Sequence, residues 1–199
     1  MTGKRPLTPI QQHKGKNTRT VKSLDLNTMN EKDNKNYVEL QENICSTYLQ
    51  LFNNKLNWFK IMTKNDENSI IDYTCIDKKD RKCHVELKQR LATIDEYDTI
   101  LLDATKLWMW TKLGTTGATN NEQRLYFNFM NDGVIIFDIN NQSEFKFYPN
   151  KKIWNPALQS YEYRDKIGLP TKNAIIYKYN KDGTLTRVKN ERYNKTYNK

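Results

Sequence analysis

The stretch from Ile70 to Arg90, IIDYTCIDKKDRKCHVELKQR, constrains the fold of this chain more than any other. It opens on a β-rich run, residues 70–76, that carries a single acid, Asp72. A polar turn follows at 77–81, and a second β-like run returns at 82–88. Two such runs around a solvated turn predict a hairpin. Side chains alternate faces along a strand, so His84, Glu86 and Lys88 share one face while Cys83, Val85 and Leu87 share the other. Glu86 and Lys88 therefore project side by side, and the hairpin partner brings Asp72 toward them.

Two carboxylates and an amine at that spacing form a chemically coherent set. Hard divalent cations take oxygen ligands, commonly one or two carboxylates completed by water and substrate phosphate. A cation so held binds a phosphate oxygen and makes a water nucleophilic, and an ammonium beside it orients that water or neutralises developing charge. The arrangement resembles the PD-(D/E)XK nuclease superfamily, whose signature is an acid on one strand and E-x-K on the next, here Asp72, Glu86 and Lys88. Ile71 stands where the motif usually has proline. The segments YDTILLDATK (97–106) and YFNFMNDGVIIFDI (126–139) resemble the region downstream of the motif in small phage-type members, alongside restriction and resolvase-like enzymes.

The resemblance implies an α/β fold, a mixed central β-sheet flanked by helices, with a restriction-endonuclease-like core over residues 37–139 and extra β-hairpins after it. It implies Mg²⁺ or Mn²⁺ held by Asp72, Glu86 and the backbone carbonyl of Leu87, with Lys88 positioning the attacking water. A helix ahead of the catalytic strands sometimes donates a further glutamate, for which Glu42 is the candidate and Glu39 the reserve. Gln89 and Arg90, next to the E-x-K strand, and Lys106 are candidates for holding substrate phosphate. The bland alternative for the motif is a solvated strand face with a Glu and a Lys by coincidence. For Arg90 it is a salt bridge, and for Lys106 a snorkelling surface side chain.

Charge points to the same class of partner. Lysine and arginine total 33 against 23 aspartates and glutamates, a formal charge of +10 and a pI near 9.4. Such an excess suits a polyanion, nucleic acid before others. DNA is the expected partner, with RNA left open. Two non-enzymatic readings remain beside the nuclease: a basic nucleic-acid-binding module, and a phage structural or inhibitor protein that docks on a host protein.

Hydrophobic residues make up only 37% of the 199, and the mean hydropathy is -0.91, so part of the length is expected to be tail. Residues 1–36 read as a basic, loosely structured arm, 37–189 as one nuclease domain, and 190–199 as a frayed basic tail. Cys45, Cys75 and Cys83 form no C-x-x-C, and their odd number argues against a disulfide framework. A zinc site from Cys75, Cys83 and His84 has the wrong ligand spacing. No apolar run approaches membrane-spanning length and no signal-peptide core is present. The expectation is a cytoplasmic protein without a membrane partner, with a homodimer left open.

Helical spacing of Tyr37, Leu40, Ile44, Tyr48, Leu51 and Phe52 predicts a helix over 37–52, ended by Asn53 and Asn54. A first strand is expected at 56–62, another at 97–102, and a helix at 104–112 whose Trp108 and Trp110 cannot share one face. Residues 113–122 read as a loop. Asn131-Asp132-Gly133 predicts a hairpin between strands at 124–130 and 134–139. An edge strand at 144–148, an irregular aromatic segment at 151–169, and a last hairpin from 174–179 and 185–189 complete the reading.

Overall fold

Cys45, Leu49, Phe52 and Leu56 recur at one-turn spacing and give the first helix, α1 (Glu31–Leu56), a single apolar face. The computed structural model describes residues 31–66, 69–112, 122–155 and 160–188. Residues 1–30 of the expected arm, the expected tail and most of the loop at 113–122 lie outside the described residues. The helix starts at Glu31, inside the stretch read as arm, and runs past Asn53 to Leu56. Its end is set by Asn57 at φ 51°, a left-handed residue of the kind asparagine tolerates, whose N–H donates to the Asn53 carbonyl at 2.6 Å. The Asn53 side chain accepts from the Phe59 amide at 2.7 Å and donates to the Phe59 carbonyl at 3.1 Å. That clamp turns the chain into the first strand.

The strands are β1 (Phe59–Lys64), β2 (Tyr73–Asp77), β3 (Lys82–Gln89), β4 (Thr99–Asp103), β5 (Gln123–Phe129), β6 (Gly133–Asp138), β7 (Lys146–Asn155), β8 (Ser160–Pro170), β9 (Ile175–Tyr179) and β10 (Leu185–Val188). The second helix, α2 (Ala104–Lys112), follows β4 directly. Asp77 organises the β2–β3 turn: one carboxylate oxygen accepts from the amides of Lys79 and Arg81, and the other from the Arg81 guanidinium at 2.8 Å. The turn sets Cys75 opposite Cys83 and Tyr73 opposite Val85.

The fold is α/β with a mixed sheet. Seven strands run in the order β1-β2-β3-β5-β6-β9-β10, all neighbours antiparallel except β3 and β5. Parallel neighbours need a crossover, and here it consists of β4 and α2. The crossover strand joins a second, three-stranded sheet in the order β4-β8-β7. α1 packs on one face of the large sheet, where Phe52, Trp58, Phe127 and Tyr177 meet edge-to-face. On the other face, Ile100, Leu102, Trp110 and Leu169 pack against Tyr126, Ile135 and Phe137. Covered on both sides, β5 and β6 read as nearly continuous apolar runs instead of alternating ones.

Two expectations change. The opposite face is covered mostly by a second sheet, because the described residues of the segment read as irregular, 151–155 and 160–169, form half of β7 and nearly all of β8, which pair with each other. Their exposed aromatics hid the strand alternation. The two tryptophans of α2 divide as expected, Trp110 at 0% exposure and Trp108 at 58%.

Gly133 is required by proximity. A Cβ there would lie 2.3 Å from the Tyr177 carbonyl oxygen and 2.9 Å from Ile94. Gly133→Ala is expected to cost about 1–3 kcal/mol, the scale of overpacking, read as a lowered denaturation midpoint.

Candidate active site

Strand alternation sends the even-numbered residues of β3 away from α1, toward the crossover. Parallel pairing sets Glu86 beside Tyr126 and Lys88 beside Asn128 of β5. α2 lies over this edge, capped by Asp103, which accepts from the Thr105 amide at 3.1 Å. Its first turn extends Lys106 to Glu86, whose Oε1 accepts a hydrogen bond from the lysine Nζ. The result is a cleft of about 930 Å³ between the two sheets, lined by Glu86, Lys88, Arg90, Lys106, Tyr126 and residues of β4 and β7–β8.

Asp72, expected inside a strand over 70–76, lies on a bend one residue before β2; its charge acts on Glu86, but it is not part of the cleft lining. Its amide donates to the Val85 carbonyl at 3.0 Å, and its Oδ2 accepts from the Leu87 amide at 2.6 Å. The carboxylate therefore replaces the next acceptor of the β2–β3 ladder, which is why a residue beyond the strand end is held firmly. Leu87 contributes main chain here, while its side chain packs in the α1-side core.

Glu86 is the electrostatic centre. It is 7% exposed, Oε1 is held by Lys106, and Oε2 is buried without a hydrogen-bond partner. Burial first, and the Asp72 charge second, push its pKa from 4.5 up to about 8, against the pull of Lys106 and Lys88. Lys88 keeps solvent contact at the cleft mouth, yet the surrounding protein depresses its pKa, through desolvation first and the Arg90 charge next. Lys88 makes no ion pair with any described residue.

An acid whose folded pKa lies above its unfolded value binds the extra proton in the native state, so its ionisation opposes folding. Stability is expected to fall as pH rises from about 5 to about 8 in the absence of divalent ions. Glu86→Gln should flatten that part of the profile, as read by thermal denaturation across pH.

Other residues expected at the site are distributed unevenly. Lys106 is brought directly to Glu86. Arg90 lines the cleft, but its guanidinium meets no acid among the described residues: Nε donates to Asn128 Oδ1 at 3.1 Å, and Nη2 to the Leu101 carbonyl at 2.7 Å and the Tyr126 hydroxyl at 2.8 Å. Gln89 falls on the α1 side by alternation and is not part of the cleft lining. Glu42, on α1, pairs with Lys64 of β1 at 3.6 Å and likewise does not line the cleft. Cys75 and Cys83 pack in the α1-side core, while His84 faces the other way and bonds Glu122 at 2.9 Å. Burial also pushes both thiols up to about 12, away from the thiolate zinc requires.

Three cleft features escaped the sequence reading. Tyr126 and Asn128 buttress Arg90, and the signal was a polar residue inside the apolar run YFNFM. Asp103 binds Lys166 at 3.0 Å, and Arg164 bridges Glu162 at 2.6 Å. Burial raises the Asp103 pKa, but the Lys166 bond and charge outweigh it and hold the acid ionised. No local pattern links β4 to β8.

Among the described residues no group of three or more acids, histidines or cysteines is placed to hold a metal. The acids that act on one another here are Asp72 and Glu86, and two carboxylates are a composition that would suit Mg²⁺ with water and phosphate filling the remaining positions. The unpartnered, buried Oε2 of Glu86 fits such an ion, since a cation there would satisfy the oxygen and displace the proton that burial retains. No protein-family model matches this chain, and no curated protein matches it either. Among the described residues no helix is long and apolar enough to cross a membrane.

Proposed function

We propose that this protein is a metal-dependent nuclease of the PD-(D/E)XK type, hydrolysing DNA phosphodiester bonds in the cleft. The observation that carries this reading is Glu86: a buried carboxylate with one orphaned oxygen, beside Asp72 and Lys88, on the floor of a cleft in a protein of net charge +10. An acid that repels phosphate and destabilises the fold has a chemical reason to be there if it binds a cation. The chain order supports the resemblance, because a helix precedes an acid and an E-x-K strand in a mixed sheet.

Asp72 and Glu86 would hold Mg²⁺ or Mn²⁺ with the Leu87 carbonyl, and the ion would supply Lewis acidity to the phosphate and acidify a bound water. Lys88, with a depressed pKa, gives up or shares a proton more readily than an ordinary lysine, which suits an amine that orients the attacking water. Arg90 is held by Asn128 and Tyr126 at the cleft wall and adds positive potential where phosphate enters. Lys106 balances Glu86 through its hydrogen bond to Oε1 and, where a cation took over that charge, would be available to the phosphate.

The test is incubation with supercoiled, linear duplex and single-stranded DNA in Mg²⁺, Mn²⁺ or EDTA. Cleavage in either metal and none in EDTA is expected. A second reading has one observation in its favour: Lys106 already neutralises Glu86 Oε1, so the acid can persist without a cation. The protein would then bind nucleic acid without cutting it, and salt-sensitive binding with no cleavage in any condition would establish that reading.

A further inference from the structure

The hairpin of β7 and β8 carries large aromatic side chains that stay exposed. Its base, at Gly168 and Leu169, is buried against β4, whereas its outer half is exposed. Register sets Trp154 opposite Tyr161 and Lys152 opposite Tyr163, so these four side chains project from one face. Trp154 is 51% exposed, Tyr161 60% and Tyr163 66%. The Trp154 and Tyr161 rings meet edge-to-face at 5.2 Å, and the Lys152 amine stands 4.2 Å from the Tyr161 ring centre. Trp154 and Tyr163 also line the cleft that holds Glu86 and Lys88, so the aromatic surface continues to the candidate site.

We propose that this face is a stacking platform for unpaired DNA bases, which makes single-stranded or locally opened DNA the preferred ligand. Nucleic-acid bases stack on aromatic rings regardless of sequence, and neighbouring cations hold the phosphates between them. The hairpin has both: three large rings with the Lys152 amine against one of them, while Lys146, Lys151, Arg164 and Lys166 alternate to the reverse face of the same hairpin. Duplex DNA hides the faces of its bases, so the rings gain nothing from an intact helix. A second copy of this chain fits worse, because self-association would bring the Lys152 amines of two copies together. Choosing DNA over RNA rests on the nuclease reading, whereas the stacking itself requires no cleavage.

The experiment uses the full chain carrying Glu86→Gln in EDTA, so hydrolysis plays no part, and measures fluorescence anisotropy of a labelled thymidine oligonucleotide. Trp154→Ala is expected to weaken single-strand binding roughly 5- to 100-fold while leaving duplex binding within about twofold. Trp154→Phe should retain most of the affinity and Trp154→Leu should lose it, which separates a π face from general apolar area. Circular dichroism of each variant checks that the fold is intact, and Tyr163→Ala repeats the test at an independent position. Equal losses for single strand and duplex would overturn the proposal, as would unchanged single-strand binding. Stronger binding to a uridine oligoribonucleotide would overturn the DNA choice. A dimer in solution that Trp154→Ala converts to monomer would assign the face to self-association instead. Loss of single-strand selectivity with wild-type cleavage intact removes this proposal alone; selective binding without wild-type cleavage removes the nuclease reading alone.

Discussion

Glu86→Gln is expected to reduce metal-dependent cleavage of supercoiled plasmid by on the order of 10³-fold or more, the scale of losing a positioned catalytic group. Glutamine keeps the shape and can still accept from Lys106, but it offers a cation no formal charge. Above pH 8, where Glu86 is ionised, the same change removes a negative charge from the phosphate path, so DNA affinity in EDTA should hold or rise there. Lys88→Met tests the second half of the motif. It should remove cleavage to a similar degree while Mg²⁺ still raises the melting temperature, because Lys88 is not a ligand. In Glu86→Gln that Mg²⁺-induced rise should shrink or vanish. Cleavage that survives both substitutions would place the activity elsewhere in the protein or in a contaminant.

Lys106→Met has the largest expected effect on stability. Lys106 supplies both the hydrogen bond and much of the charge that lower the Glu86 pKa. Without it, a buried carboxylate faces the Asp72 charge with little compensation. Breaking a buried pair by removing one partner costs about 3–5 kcal/mol, and the low end, about 3 kcal/mol, applies because the Lys106 side chain is 30% exposed. The loss should be greatest above pH 8, where wild-type Glu86 is ionised, and smaller near pH 6, where the carboxyl is protonated in either protein. Mg²⁺ distinguishes the two functional readings. If Asp72 and Glu86 bind a cation, adding it at pH 8 should recover much of the lost melting temperature. If Lys106 and Glu86 are only a structural pair, added Mg²⁺ should leave the variant as unstable as before.

Much of the chain's architecture was present in local chemistry. The β2–β3 hairpin follows from two β-rich runs and from Asp77, whose side chain can satisfy the amides of its own turn. The β5–β6 hairpin follows from Asn-Asp-Gly, and α2 from its helix-forming composition and Asp103 cap. Alternation along β3 was sufficient to place Glu86 and Lys88 on one face. It also places Gln89 on the other, a consequence the motif's linear order obscured.

Tertiary structure decided everything that depends on distant pairing. Asp72, expected within a strand, lies just before β2 and is held next to the E-x-K strand because the Leu87 amide needs an acceptor where the ladder stops. Glu42 looked suitable on helical position alone, yet Lay of the sheet sets it against Lys64. Residues 151–155 and 160–169 looked irregular because exposed aromatics and lysines erase the apolar–polar rhythm by which a strand is recognised; only pairing between β7, β8 and β4 makes them a sheet. The partner of Glu86 is twenty residues away across a crossover, and the pKa near 8 exists only once that crossover excludes water. Residue types and short-range spacing were therefore sufficient for the motif and its hairpin, while desolvation and cross-sheet contact, which are properties of the packed chain, made the motif a site.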